Sequence, residues 1–65
     1  MTEWFIRLLD LYKQGASQES ERATRELLTE ARMEQDRLSI AGEDISNITR
    51  FISEVEYLLY DHYSN

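Results

Sequence analysis

The chain has 65 residues, no cysteine and one histidine, and 13 acidic against 7 basic residues give a net charge of −6. This length allows one small domain, and the composition excludes a disulfide framework and the usual ligand set of a zinc site. The negative charge disfavours binding to nucleic acids and to anionic membranes. Because we find neither a secretory signal nor a run of roughly 20 apolar residues, we expect a soluble cytoplasmic protein.

The core of so short a chain is small. It rarely supplies more than roughly 3–5 kcal/mol of stability. Natural chains of this size rely on disulfides, metals or partners, and here only partners are left. We therefore expect the protein to gain stability by association.

The pattern of the chain is helical throughout. Proline is absent, and Gly15 and Gly42 divide the sequence into three stretches with helical periodicity. These stretches predict an all-α fold for a single domain over residues 1–65. The predicted architecture is an antiparallel, coiled-coil-like helical hairpin preceded by a short N-terminal helix.

The first predicted helix covers about residues 3–14 and is strongly apolar for its length. Thr2 is suited to the N-cap, and Trp4, Leu8 and Tyr12 recur four residues apart, which is the spacing of one helix face. An isolated helix this short is marginal in water. Its aromatic face is therefore expected to pack against another surface.

A second helix is predicted over about residues 18–39, with a break at Gly15 and Ser17 as its N-cap. The alternative is one long helix through Gly15, at a cost of about 1 kcal/mol relative to alanine. The second helix has a thin apolar stripe and a face of mixed charge. The i,i+4 spacing on that face predicts ion pairs of Glu21 with Arg25 and of Arg32 with Asp36.

The third helix is predicted over residues 44–63, after a turn at residues 40–43. Gly42 suits the left-handed position at a helix C-terminus, and Asp44 suits the capping of the next helix. A connection this short joins antiparallel neighbours. The third helix has one continuous apolar seam, formed by Ile45, Ile48, Ile52, Val55, Leu59 and His62.

Further apolar residues lie beside this seam. Phe51 and Leu58 are seven residues apart, and the face is widened by Tyr57, Tyr60 and Tyr63. The second helix has no aromatic residue and too few aliphatic ones to cover both the seam and this flank. We therefore predict that Phe51 and Leu58 are exposed. Large exposed apolar patches mark interaction sites, so this flank is the predicted binding surface. The predicted partner-binding residues are Phe51, Leu58, Tyr57, Tyr60, Trp4, Phe5 and Leu8.

Two other arrangements would cover this flank. In a closed monomer the first helix folds back, so that Trp4, Phe5 and Leu8 contact Phe51 and Leu58 in a three-helix bundle. In a homodimeric four-helix bundle two hairpins cover each other's flanks. Such a dimer would act as a small regulator or as an anti-adaptor in another protein's groove.

No combination of residues indicates catalysis. An open hairpin lacks a pocket that could hold paired acid and base groups, and His62 is expected to pack and to cap the third helix. We therefore expect no enzymatic activity, no cofactor and no metal site.

Three segments have a family resemblance: the turn Gly42-Glu43-Asp44, the tyrosine-rich ending at residues 58–65 and the opening at residues 7–11. They resemble the small co-chaperones of bacterial type III secretion needle subunits, the YscE/PscE/SsaE group. The resemblance implies a helical hairpin that binds a chaperone of tetratricopeptide type. It also implies that the two proteins together keep a needle subunit soluble and unpolymerised in the bacterial cytoplasm before export.

Overall fold

The computed structural model describes residues 2–15 and 17–62, and this part of the chain is helical without any strand. The elements are α1 (Thr2–Gln14), α2 (Gln18–Ile40), α3 (Ser46–Tyr57) and a π-helical segment (Leu58–His62) that continues α3. The prediction of an all-α fold is confirmed.

The helix bounds differ from the predicted ones by a few residues. Thr2 is the first residue of α1 and not its N-cap, and α2 ends at Ile40, one residue beyond the predicted end. The third helix begins at Ser46, two residues later than predicted. The predicted end at Tyr63 lies outside the described residues, as does the side chain of His62.

The break between α1 and α2 is confirmed. Gly15 has φ +75°, a left-handed conformation that ends α1 and that glycine adopts without strain. Ser17 is the N-cap of α2: its Oγ accepts a hydrogen bond from the amide of Ser20 at 3.1 Å. In return the Ser17 amide donates to Ser20 Oγ at 3.0 Å, which completes a capping box with serine in place of the usual glutamate. One continuous helix through Gly15 is therefore wrong.

The end of α2 follows the predicted glycine signal. Gly42 has φ +75°, and its amide donates to the carbonyl of Ser39 at 3.1 Å. The amide of Glu43 donates to the carbonyl of Leu38 at 2.9 Å. These two bonds form a Schellman motif, which satisfies the last carbonyl groups of the helix.

Asp44 was expected to be the N-cap of the third helix, but it lies one residue before the N-cap. Ile45 is the N-cap residue and has no side-chain cap bond. Asp44 Oδ1 instead accepts hydrogen bonds from the Ser46 amide at 2.9 Å and the Ser46 hydroxyl at 2.7 Å. The hydroxyl bond, followed by the amide bond, lowers the pKa of the Asp44 carboxyl below its ordinary value.

Polar contacts connect α2 with α3. Gln35 Nε2 donates to Thr49 Oγ1 at 2.9 Å, and an Arg32 guanidinium nitrogen lies 3.1 Å from Glu56 Oε2. The earlier residue of α2 thus meets the later residue of α3, which is compatible with antiparallel neighbours. The predicted pair of Arg32 with Asp36 is wrong, because Arg32 pairs with Glu56 on the adjacent helix.

Arg37 of α2 also pairs with Glu34, and two other ion pairs lie on the surface of this helix. Arg25 contacts Glu21 at 3.1 Å, as the i,i+4 spacing predicts. Arg7 of α1 contacts Glu30 of α2 at 2.7 Å. Exposed pairs of this kind contribute about 0–1 kcal/mol each, so they add little to the stability of the fold.

One hydrophobic core receives residues from every element. Its buried members are Leu8, Leu11, Leu27, Leu28, Ala31, Ile48, Phe51, Ile52, Val55, Leu58 and Leu59. The predicted seam of α3 is therefore buried at Ile48, Ile52, Val55 and Leu59. Because α1 supplies two leucines, it packs on this same core and does not stand apart from the other helices.

Candidate protein-binding surface

The predicted exposure of Phe51 and Leu58 is wrong. Their side chains are 0% and 1% exposed. Helix α1 covers this region: the ring centroids of Trp4 and Phe5 lie 5.4 Å and 5.3 Å from that of Phe51. The interplanar angles of 59° and 83° are tilted and edge-to-face arrangements, which aromatic pairs favour. The contacts of Trp4 and Phe5 with Phe51 are among those expected for the closed monomer described above as an alternative.

The seven predicted partner-binding residues differ in their exposure: some are buried, one is partly buried and the others are exposed. Phe51, Leu58 and Leu8 lie in the core, where substitution would disturb folding before it disturbed binding. Trp4 is partly buried against the same core. Phe5, Tyr57 and Tyr60 are the exposed members, and for them a role in binding stays a prediction.

A strip of large apolar side chains remains exposed after the core has closed. It consists of Phe5, Leu9 and Tyr12 on α1 and Tyr57 on α3, which are 42%, 59%, 40% and 63% exposed, and we call it the aromatic strip. The three α1 residues follow one another at intervals of four and three, so they share one helix face. Phe5 contacts Phe51 of α3, which places this face of α1 on the α3 side.

The electrostatic environment of Tyr12 supports this placement. Partial burial, followed by the nearby groups of Glu54, Tyr57 and Asp61, raises the pKa of Tyr12 above its ordinary value. All three neighbours belong to α3 or to the π-helical segment. The aromatic strip therefore crosses from α1 to α3, and carboxylates lie along its α3 side.

Two members of the strip, Leu9 and Tyr12, are not among the predicted partner-binding residues. A signal for them was present, because apolar residues occupy more than one face of the first helix. A helix that buries Leu8 and Leu11 and partly buries Trp4 on one face leaves Phe5, Leu9 and Tyr12 on the next.

Other exposed apolar side chains offer less. Met33 and Ile40 lie on α2, where their neighbours along the helix are polar, and single exposed apolar residues need no functional explanation. Ile6 and Tyr60 are also exposed. Met33 and Ile40 are useful as control positions.

A polar cleft of about 510 Å³ lies between α1 and α2. Its lining residues are Arg7, Arg22, Arg25, Glu26, Thr29 and Glu30. Two of the three arginines already pair with glutamates, Arg7 with Glu30 and Arg25 with Glu21. No apolar residue lines the cleft, so it ranks below the aromatic strip as a protein-binding surface.

Two other kinds of site find no support in the described part of the chain. Residues 2–15 and 17–62 contain no group of three or more histidine, cysteine or acidic side chains placed to hold a metal ion. Among the same residues, no helix is long and apolar enough to span a bilayer.

Comparison of the chain with protein-family models, with curated proteins and with solved structures gave no significant match. The structural case for function therefore rests on the aromatic strip and on the charges around it.

Proposed function

We propose that the protein is a small acidic co-chaperone of the bacterial cytoplasm. It binds a chaperone of tetratricopeptide type and helps to keep a type III secretion needle subunit soluble and unpolymerised before export. The observation that supports a binding role is the aromatic strip, whose four large side chains remain 40–63% exposed although the chain has closed its own core. The resemblance of the turn and the ending supports the choice of partner.

For the architecture, we propose that α2 and α3 form an antiparallel hairpin and that α1 packs along it. The turn at Gly42 and the Gln35–Thr49 and Arg32–Glu56 contacts support the hairpin. In this arrangement α1 completes the core and also supplies most of the aromatic strip. One short helix therefore serves both folding and binding.

The strip provides a moderate driving force for association. Complete burial of a large apolar side chain contributes about 1.5–3 kcal/mol, so four side chains that are already about half buried contribute roughly 3–6 kcal/mol. Association costs about 4–15 kcal/mol in lost freedom of motion. The strip alone is thus too weak for a stable complex, and polar contacts around it must add to the affinity.

Capture from the source cell with the tagged protein tests this function. We expect a helical-repeat chaperone and a small polymerising subunit to be recovered together. The variant Leu9→Gln/Tyr57→Gln should lose both, because it removes apolar surface from the strip without adding charge. Met33→Gln is the matched control, since Met33 is 67% exposed on α2 and lies outside the strip.

Two results would contradict the proposal. One is capture of neither type of protein, and the other is equal capture by the strip variant and the Met33→Gln control. A Leu58→Asp variant does not serve this test, because it would place a carboxylate in the core and unfold the chain.

The second candidate is the homodimeric regulator or anti-adaptor. The same exposed strip favours it, because a second copy could cover four apolar side chains at once. Sedimentation of the pure protein distinguishes the homodimeric regulator from the co-chaperone. A dimer that persists on dilution and is lost in Leu9→Gln/Tyr57→Gln would favour the regulator.

A further inference from the structure

We propose that the aromatic strip binds an amphipathic helix whose apolar side chains are flanked by lysine or arginine residues. The inference rests on the proposed function in one respect, namely that a partner protein covers the strip. It goes further by assigning the chemistry of the partner segment.

Negative charge lies beside the aromatic strip. Glu54 and Asp61 are exposed and lie three residues before and four residues after Tyr57, on the same face of the C-terminal helix. Both lie close to Tyr12 across the strip. Within the described residues neither makes an ion pair. Two unpaired carboxylates are therefore available to a partner at this edge.

Most arginines of the chain are paired away from the aromatic strip. Four arginines are paired with glutamates away from the strip: Arg7 with Glu30, Arg25 with Glu21, Arg32 with Glu56 and Arg37 with Glu34. On the α3 side of the strip, Arg50 is the basic residue of the face that carries Glu54 and Asp61. On α1, Lys13 lies one turn after Leu9, beside Asp10. The carboxylates at the α3 edge thus outnumber the cations there.

The same charges disfavour a second copy of the chain as the occupant of the strip. In a symmetric dimer the same patch of each copy faces the other, so two surfaces that each carry Glu54 and Asp61 come together. Like charges at an interface oppose binding, and each copy also has a net charge of −6. A helix with basic flanks converts the same carboxylates into favourable contacts. It also supplies the polar contribution that the strip needs.

Two synthetic peptides of about 18 residues, long enough to form a helix, test the inference. They share one stripe of leucine and phenylalanine and differ only in the flanks, which are lysine and arginine in one and glutamate in the other. We expect the basic peptide to bind at least about tenfold more tightly in a fluorescence-anisotropy titration, because two rim charges change from repulsion to attraction. Added salt should reduce this preference.

Two charge variants distinguish the effect of the carboxylates beside the strip from the effect of the net charge on peptide binding. Glu54→Gln/Asp61→Asn should remove most of the preference for the basic peptide. Asp36→Asn/Glu43→Gln makes the same change in net charge near the α2–α3 turn and should leave the preference intact. Leu9→Gln and Tyr57→Gln should each weaken binding of the basic peptide, whereas Met33→Gln should not.

Several outcomes would overturn the inference. They are equal binding of the two peptides, binding of neither, equal loss of preference in both charge variants, and a dimer in sedimentation that Leu9→Gln dissociates. The peptide test does not involve the secretion system. Preference for the basic peptide without capture of a helical-repeat chaperone would therefore contradict the co-chaperone role alone, and capture without the preference would contradict this inference alone.

Discussion

Replacement of Phe51 by alanine tests whether α1 and the other helices share one core. Phe51 is fully buried, and its ring contacts the rings of Trp4 and Phe5. Removal of a buried phenylalanine side chain costs about 3–5 kcal/mol. A core of this size supplies roughly 3–5 kcal/mol in total. We therefore expect Phe51→Ala to be largely unfolded at room temperature.

Two spectroscopic measurements check this expectation. Circular dichroism during urea titration gives the free energy of unfolding. The fluorescence of Trp4, the one tryptophan of the chain, reports the packing of α1 on Phe51. Phe51→Leu retains part of the volume and should stay folded, but with altered Trp4 fluorescence. The control Met33→Ala changes an exposed side chain and should alter stability by no more than about 0.5 kcal/mol.

A clear result would refute the reasoning. If Phe51→Ala lost no more stability than Met33→Ala, then Phe51 would not lie in a core in solution. If Phe51→Leu left the Trp4 fluorescence unchanged, then α1 would not pack on Phe51. Either result would return the flank of Phe51 and Leu58 to the candidate binding surfaces.

Three smaller changes test the helix ends. Ser17→Ala removes the N-cap of α2 and should lower the free energy of unfolding, measured by urea titration, by about 1 kcal/mol, whereas Ser17→Asp should retain most of it. Gly42→Ala requires alanine at φ +75° and should cost about 1–2 kcal/mol by the same measurement, although the added carbon would meet no atom within 4 Å. Ser46→Ala removes the hydroxyl that lowers the pKa of Asp44. The folded pKa of Asp44 lies below the ordinary value of 3.8. Ser46→Ala should therefore be less stable than the original protein at neutral pH, and this difference in the free energy of unfolding should disappear as the pH falls through the folded pKa.

Each of these predictions has its own contrary result. Equal losses in Ser17→Ala and Ser17→Asp would mean that the cap bond does not stabilise α2. A Gly42→Ala protein as stable as the original would show that the turn adopts another backbone conformation. A difference between Ser46→Ala and the original protein that persists unchanged in strong acid would separate the serine from the titration of Asp44.

The helix ends were the features most accessible from the sequence, because each depends on a few neighbouring residues. Ser17 caps α2 through an amide three residues away, and Gly42 ends α2 through carbonyl groups within one turn. The pair of Arg25 with Glu21 is also local and was predicted correctly. Arg32 was assigned to Asp36 and instead contacts Glu56, because a contact between helices competes with one inside a helix.

The sequence by itself determined that the chain is helical, where α2 starts and ends, and which face of α3 enters a core. Local hydrogen bonding and the 3.6-residue period are sufficient for these features. Only the tertiary structure decided which apolar residues remain outside. The aromatic residues of α1 cover Phe51, Leu58 is buried in the same core, and Phe5, Leu9 and Tyr12 remain exposed instead. The physical reason is that burial depends on where a whole helix packs, and periodicity gives the faces of a helix without identifying the neighbour that covers each one.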